Sequence, residues 1–254
     1  MYAEERQTHI VEEARAKGRV DVATLAETFN VTQETVRRDL TSLVRHGVLR
    51  RVHGGAIPVE RLGFEPGLAD RDAAMNDEKE RIAEAALAEL PEGEGVILLD
   101  AGTTTARLAE ILPASATLTV VTNALPIAMT LASRPNLTVM SVGGRVRGRT
   151  GAMVDAWAVR TLEEMVVDVA FMGANGISAE RGLTTPDTAE AAAKRAMIRA
   201  ARRVVVLADH TKAGADHFAR FGDLADVDVL ITDSGLHPDD ASALEAAGPR
   251  VVLA

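Results

Sequence analysis

The sequence predicts a two-part chain: an N-terminal winged helix-turn-helix unit followed by an α/β unit built on a parallel-type sheet. Three observations carry this reading. Residues 32–45 hold an apolar stripe at helical spacing, followed by a short basic strand pattern. Seven short, continuous apolar runs recur from Val96 to Leu253, separated by helical segments, as expected when helices cover both faces of a parallel sheet. Between the two regions, residues 59–76 show Gly63, Pro66, Gly67 and mixed charge without sustained periodicity, which reads as a connection. The expected organisation is a head at 1–58, a connector at 59–76 and a body at 77–254.

In the head, Asp21 is placed to cap a helix whose inner face is Leu25, Ala26 and Phe29, and Asn30-Val31 is a short turn. Thr32 then caps a second helix. Stepping about 100° per residue puts Val36, Leu40, Leu43 and Val44 on one face, with Glu34, Thr35, Arg38, Thr41, Ser42 and Arg45 on the other. Gly47 can end that helix, Val48 to Val52 reads as a strand, Gly54-Gly55 as a hairpin tip, and Ala56-Ile57 as the return. This is a wing. Between Arg37 and His53 stand five arginines and one acid, Asp39. Positive charge is therefore concentrated where a major-groove helix and a backbone-touching wing need it. The expected contacts to double-stranded DNA are Thr32, Gln33, Thr35, Arg37, Arg38, Arg45, Arg51 and His53; the alternative is a solvated basic face on an ordinary small helical bundle.

The formal net charge of −9 is unevenly divided: residues 1–58 hold 9 Lys+Arg against 8 Asp+Glu, and the remainder 19 against 29. An acidic body is repelled from a duplex and the basic head is drawn to it, which orients the molecule. The chain has no cysteine, which excludes disulfides and thiolate metal sites. Its polar N-terminus and the lack of any apolar run near 18 residues lead to an expectation of a cytoplasmic protein. The six histidines form no pair with Asp or Glu at ligand spacing on an evident helix face, so neither a metal nor a cofactor is expected.

In open α/β sheets, ligands bind beyond the carboxyl ends of the strands. The strand Val96–Leu99 runs into Asp100-Ala101-Gly102-Thr103-Thr104-Thr105 and then a helix, a loop whose glycine, hydroxyls and first-turn amides suit a phosphate. Threonines that simply cap a helix are the alternative. Asn123, Gly144-Arg145, Asn175 and Lys212 follow four further strands. Lys212 and Arg145 can pair with a phosphate or carboxylate, and Asp100, Asn123 and Asn175 with sugar hydroxyls. Lys212 can instead pair with Asp209 or Asp216, and each strand end can be an ordinary turn. Trp157, in a helical stretch with Val154, Leu162 and Met165, reads as buried core or subunit interface.

The head residues Arg6, Ile10, Gly18, Val22, Leu25, Ala26, Val31-Thr32, Thr35 to Leu40, Leu43, Gly47, Arg51 and His53-Gly54-Gly55-Ala56 resemble the DeoR/GlpR family of bacterial transcriptional regulators. The strand-end motifs extend the resemblance over nearly the whole chain. It implies a repressor of sugar-utilisation genes released from operator DNA by a phosphorylated sugar. It further implies a body similar in fold to ribose-5-phosphate isomerase and glucosamine-6-phosphate deaminase, the Gly-Thr-Thr loop holding phosphate, and Asn123, Gly144, Asn175 and Lys212 near the sugar. Two departures stand out: Lys212-Ala213-Gly214 where the family often has Lys-Phe-Gly, and Asn175 where many related enzymes carry Asp. Ala208 to Lys212 and Phe218 to Phe221 are similar to regulators found with fructose genes, which makes fructose 1-phosphate the first ligand to consider.

The competing expectation is an isomerase or deaminase carrying a DNA-binding head. Proton transfer needs a positioned base, and Asp100, Asp209 and Glu190 are the carboxylates available. A third reading is a regulator of an unphosphorylated small molecule. Pairing of heads on symmetric half-sites calls for a homodimer or homotetramer.

Overall fold

The computed structural model describes residues 3–45, 48–52, 54–58 and 67–254. In the head, α1 (Ala3–Lys17), β1 (Val20–Asp21), α2 (Val22–Phe29) and α3 (Gln33–Arg45) precede the hairpin of β2 (Leu49–Val52) and β3 (Gly55–Pro58). Asp21 caps α2 as its type demands, Oδ1 accepting from Ala23 N at 2.9 Å and Thr24 N at 3.2 Å. Asn30, at a left-handed φ of 50°, ends α2. Thr32 Oγ1 then accepts from Thr35 N at 3.2 Å to open α3. The apolar faces of α2 and α3 close on Ile10 and Ala14 of α1, burying Leu25, Val36, Leu40 and Leu43.

Two features of the head were not legible as patterns. The two-residue β1 is too short to show a period, yet it pairs antiparallel with β3 and makes the wing a three-stranded sheet. At that crossing only glycine fits, since a Cβ on Gly55 would lie 1.9 Å from Val20 O. Asp39, the one acid among the arginines, is buried and meets Arg6 of α1 at 2.5 Å, so it pins α3 to α1 and leaves the basic face uninterrupted. The expected helix end at Gly47 and the wing-tip His53 lie outside the described residues.

The connector is partly helical. Phe64 and its neighbours at 59–66 lie outside the described residues, but α4 (Leu68–Ala73) falls within the 59–76 stretch and leads into α5 (Asn76–Ala86). With only six residues, α4 completes too few turns to show periodicity.

The body alternates strands and helices: β4 (Glu94–Leu99), α6 (Thr103–Ile111), β5 (Thr117–Thr122), α7 (Leu125–Leu131) and β6 (Leu137–Ser141). A hairpin of β7 (Arg145–Val146) and β8 (Met153–Val154) leads to α8 (Asp155–Glu163), then β9 (Val169–Gly173), β10 (Gly176–Ser178), β11 (Gly182–Thr185) and α9 (Thr188–Ala200). The chain closes with β12 (Val204–Leu207), β13 (Ala219–Gly222), β14 (Val229–Thr232), α10 (Pro238–Ala246) and β15 (Arg250–Leu253). All seven apolar runs enter one parallel sheet, ordered β15-β14-β12-β9-β4-β5-β6. Its two faces are buried separately. Ile97, Leu99, Phe171, Val205 and Ile231 pack with α5, α6 and α7, and Leu98, Ala170, Met172, Val206 and Leu230 with α8, α9 and α10. A small antiparallel sheet, β10-β11-β13, stands beside it.

Trp157 corrects the core half of its expectation, since it is 69% exposed on α8. The helix instead turns Ala158 and Leu162 inward.

The sheet winds outward from β4 through β5 to β6, then returns to place β9 on the other side of β4. This is the switch point at which a crevice opens beyond the carboxyl ends. One buried ion pair closes its floor. Lys194 of α9 pairs with Asp100 Oδ2 and donates to Gly173 O at 2.9 Å, while Gly173 N donates to Asp100 Oδ2 at 2.9 Å. Removing one partner from such a pair strands a buried charge, so Lys194→Met should cost about 3 to 5 kcal/mol of stability, read from urea-denaturation midpoints at an unchanged m-value.

Candidate DNA-reading head and effector cavity

Thr32, Gln33, Glu34, Arg37, Arg38 and Thr41 are exposed along one side of α3, and Arg51 is exposed on β2 of the wing. Thr35 is half-buried, its hydroxyl 2.9 Å from that of Thr32. Arg37 is steadied by Gln33 Oε1 at 3.3 Å and Glu34 at 3.8 Å. Arg51 reaches back to Arg37 O at 3.4 Å, so wing and helix present one surface. Among the described residues Arg38 has no ion-pair partner, and its guanidinium is available to an outside anion. The Arg45 side chain and His53 lie outside the described residues.

Arg50 behaves differently from its neighbours. On the pleat it points opposite to Arg51, and it donates to Asp216 of the body at 2.9 Å and also to that residue's carbonyl. Asp216 in turn accepts from Ser178 Oγ at 2.6 Å. Thus one of the five arginines joins head to body and is not on the duplex-facing side.

The second site is a cavity of about 310 Å³ beyond β4, β9 and β12, three neighbours in the sheet. Gly102, Thr103, Thr104 and Thr105 form one wall, Gly173 and Ala174 a second, and Asp209 and Lys212 a third. No side chain caps α6. The N–H groups of its first turn and the positive end of its dipole therefore face the cavity. Thr105 Oγ1 donates to Asp100 O at 2.6 Å, locking the loop to the end of β4. Lys212 lies 3.4 Å from Asp209 and 3.0 Å from Thr211 Oγ1, the ion pair foreseen as its alternative, and does so while lining the cavity.

Two cations complete the wall that sequence reading did not include. Arg71 of α4 and Lys79 of α5 both line the cavity. Lys79 is buried and donates to Arg71 O and, at 2.5 Å, to Ala74 O, tying α4 to the body. Burial pushes its ammonium down to about 8, helped by Lys212 and Arg71 and opposed by Asp209 and Asp72. Nothing in local pattern announces these residues. Only the three-dimensional return of the connector brings them to the strand ends.

The remaining candidates are distributed otherwise. Asp100 lies wholly buried beneath the loop; burial pushes its carboxyl up and Lys194 pulls it down, and its Oδ1 has no hydrogen-bond partner among the described residues. Asn123 is buried, accepting from Ala101 N at 2.9 Å and donating to Met153 O at 3.4 Å, so it braces the loop from behind. Asn175 lines an adjoining cavity together with Lys212. Gly144 and Arg145 follow β6, two strands from β4 and so about 10 Å away across the sheet. There Gly144, at φ 113°, packs where a Cβ would lie 2.5 Å from Val154 O, and Arg145 meets Asp155 at 2.6 Å.

The carboxylates weighed for catalysis are all engaged. Glu190 accepts from Arg147, from Thr150 Oγ1 at 2.6 Å and from Thr185 Oγ1 at 3.4 Å. Asp100 serves Lys194 and Asp209 serves the Thr211 turn. His210 meets Asp233 at 2.7 Å, and the described residues hold no cluster of three metal-ligating side chains.

Comparison with known proteins decides the family. Residues 6–61 match the DeoR-like helix-turn-helix domain and residues 74–234 the DeoR C terminal sensor domain. The chain is 37% identical to the HTH-type transcriptional regulator GlpR of Haloferax volcanii, over 99% of this chain and 98% of that one. It is 31% identical to the glycerol-3-phosphate regulon repressor of Escherichia coli, over 91% and 90% respectively. The chain belongs to the DeoR family. Among solved structures, a ribose 5-phosphate isomerase of Methanocaldococcus jannaschii aligns over 54% of each chain at 20% identity and a TM-score of 0.40, too slight a likeness to build on.

This DeoR-family protein is a DNA-binding transcriptional regulator and not an enzyme, as its relatives are. The isomerase-or-deaminase expectation gives way to that finding. No helix among the described residues is long and apolar enough to cross a membrane. Since Arg38 has no protein partner among the described residues, Arg38→Ala should weaken operator binding by about 1 to 3 kcal/mol at fixed salt, measured by gel-shift titration, with the thermal midpoint unchanged.

Proposed function

We propose that this regulator represses sugar-utilisation genes from the cytoplasm and leaves its operator when a phosphorylated sugar fills the cavity beyond β4, β9 and β12. The observation that supports this most is the uncapped first turn of α6 facing Lys212, Lys79 and Arg71 across one small space. A phosphate there would accept from the backbone amides of Thr103 to Thr105 and from the three cations, a combination that suits a dianion and leaves an unphosphorylated sugar without its main anchor. Relatives that include a glycerol-3-phosphate regulon repressor support a phosphorylated ligand. Fructose 1-phosphate is the first compound to test.

The DNA contacts we assign are Thr32, Gln33, Thr35, Arg37, Arg38 and Arg51, with Arg45 and His53 completing the recognition helix and wing. The working units are a head over 1–58, a connector over 59–76 whose α4 reaches the cavity, and a sensor body over 77–254. A single winged head covers a short half-site, so the functional form is a homodimer or homotetramer, which light scattering at micromolar concentration distinguishes from a monomer.

Charged hydrogen bonds contribute roughly 1.5 to 3 kcal/mol each, so Lys212→Ala should weaken the sugar phosphate at least about tenfold and leave operator binding intact. Titration calorimetry checks this, and the matching free sugar should give no heat of binding. Equal affinity for sugar and sugar phosphate would overturn the assignment.

Lys79 adds a pH signature. Burial holds its ammonium down to about 8, with Asp209, Lys212, Arg71 and Asp72 around it, and a bound dianion favours the charged form. Affinity should hold below that pH and fall as pH rises through it, because binding must then take up a proton. Calorimetry at about pH 8.5 in two buffers of different ionisation enthalpy should show that uptake in the native protein and not in Lys79→Met.

A further inference from the structure

Arg50 turns away from the face its neighbours present and joins the wing to the body. Its guanidinium donates to Asp216 Oδ2 at 2.9 Å and to that residue's carbonyl, while Asp216 Oδ1 accepts from Ser178 Oγ at 2.6 Å. Both charged side chains are sheltered, 29% and 19% exposed, so the pair is screened less than one on the open surface. It is also incomplete. Arg50 Nε is buried without a hydrogen-bond partner among the described residues, which lowers the cost of opening the contact. Arg37, Arg38 and Arg51 remain exposed while it is made, so the contact fixes the head without covering its basic side.

The body end of this contact is tied to the effector cavity by a short, stitched segment. Lys212 lines the cavity, and Asp216 stands four residues further on. Between them Gly214, at φ 68°, donates to Ile177 O at 2.8 Å. Ala215 lies so close over Gly176 that a Cβ there would be 2.2 Å from Ala215 O. Just beyond, His217 N donates to Thr184 Oγ1 at 2.9 Å. Ser178, the second partner of Asp216, belongs to the same strand as Gly176 and Ile177. Segment and strand therefore shift as one piece, and a displacement of Lys212 is not taken up as slack.

We propose that Arg50, Asp216 and Ser178 form the clasp through which the effector controls the head: closed, it holds the wing where it reads the operator, and a phosphate on the α6 turn opens it. The proposal rests on the sugar-phosphate reading above and deepens it to the means of release. Lys212 stands 3.4 Å from Asp209; an arriving dianion draws it toward the Thr103–Thr105 amides, and the segment ending at Asp216 follows. With the clasp open the head must be ordered afresh on the duplex, and that cost lowers operator affinity. Arg50 and Asp216 act here as positioning residues.

The test uses the full chain, gel-shift titration on the operator duplex at fixed salt, and three probes: fructose 1-phosphate, fructose 6-phosphate and glycerol 3-phosphate. Without a probe, Arg50→Met and Asp216→Asn should each weaken operator binding at least about fivefold with native thermal midpoints. The double variant should be no weaker than the singles, because both remove one contact. A probe that binds the native chain should weaken its operator binding and leave that of the variants unchanged, while calorimetry finds the probe bound to all of them. A loss in Arg50→Met with native behaviour in Asp216→Asn would make Arg50 a DNA contact and overturn the clasp. Native operator affinity and native release in both variants overturn it too, and tighter operator binding in both would show a contact that masks the head. Should no probe bind the native chain, the sugar-phosphate reading and the release step fail together; the titrations without probe then decide the clasp by themselves.

Discussion

The buried pair of Asp100 and Lys194 holds together the part of the molecule on which everything else is mounted. It lies at the switch point of the sheet, where Asp100 ends β4 and Lys194 reaches in from α9, and both bond to Gly173 at the end of β9. Two charges taken out of water cost several kcal/mol each, which close pairing offsets only in part here, since Asp100 Oδ1 has no hydrogen-bond partner among the described residues. The arrangement therefore tolerates little movement of the two strand ends relative to each other. Gly102 to Thr105 and Gly173-Ala174 are the walls that this pairing sets, and Asn123 braces the same loop from the neighbouring strand. The cavity is rigid on that side.

On its other side the cavity is made by material from the connector. Lys79 binds the carbonyls at the end of α4 while lining the cavity, and Arg71 of α4 lines both this cavity and the adjoining one. The locked strand ends thus stand opposite a short helix that is held by the Lys79 ammonium and by the Asp72–Arg107 ion pair. That helix belongs to the chain segment leading from the head. Arg50 and Asp216 supply a second link between the same two parts, formed on the loop that follows Lys212. Under the proposed function, a sugar phosphate that rearranges the charges around Lys212 would act next to both links.

The charge distribution also has a clear division of labour once the structure assigns each arginine. Asp39 is neutralised internally by Arg6, Arg50 is spent on the body, and Arg37, Arg38 and Arg51 are left on the outward face of helix and wing. An acidic body and a narrow basic face limit loose association with DNA, because only one orientation brings attraction without repulsion.

Much of the fold was legible in the sequence. The caps at Asp21 and Thr32, the apolar stripe from Val36 to Leu43 and the seven apolar strands are local patterns, and local patterns depend on periods of 3.6 and 2 that survive in one dimension. The turn from Gly102 into a helix at Thr103 was legible for the same reason, since a strand end, a glycine and a helix start are local features. Strand order is not a local property. Tertiary structure alone placed β9 and then β12 on the side of β4 opposite β5 and β6; this gathers Lys212 to the Thr103–Thr105 turn and leaves Gly144 and Arg145 two strands away on the other side. It alone brought Arg71 and Lys79 back from a connector without periodicity, turned Arg50 inward and left Trp157 in solvent. The reason is the same each time: the residue types able to bind an anion or bury a ring are written in the chain, but which of them meet is decided by long-range packing of elements whose order the chain does not spell out.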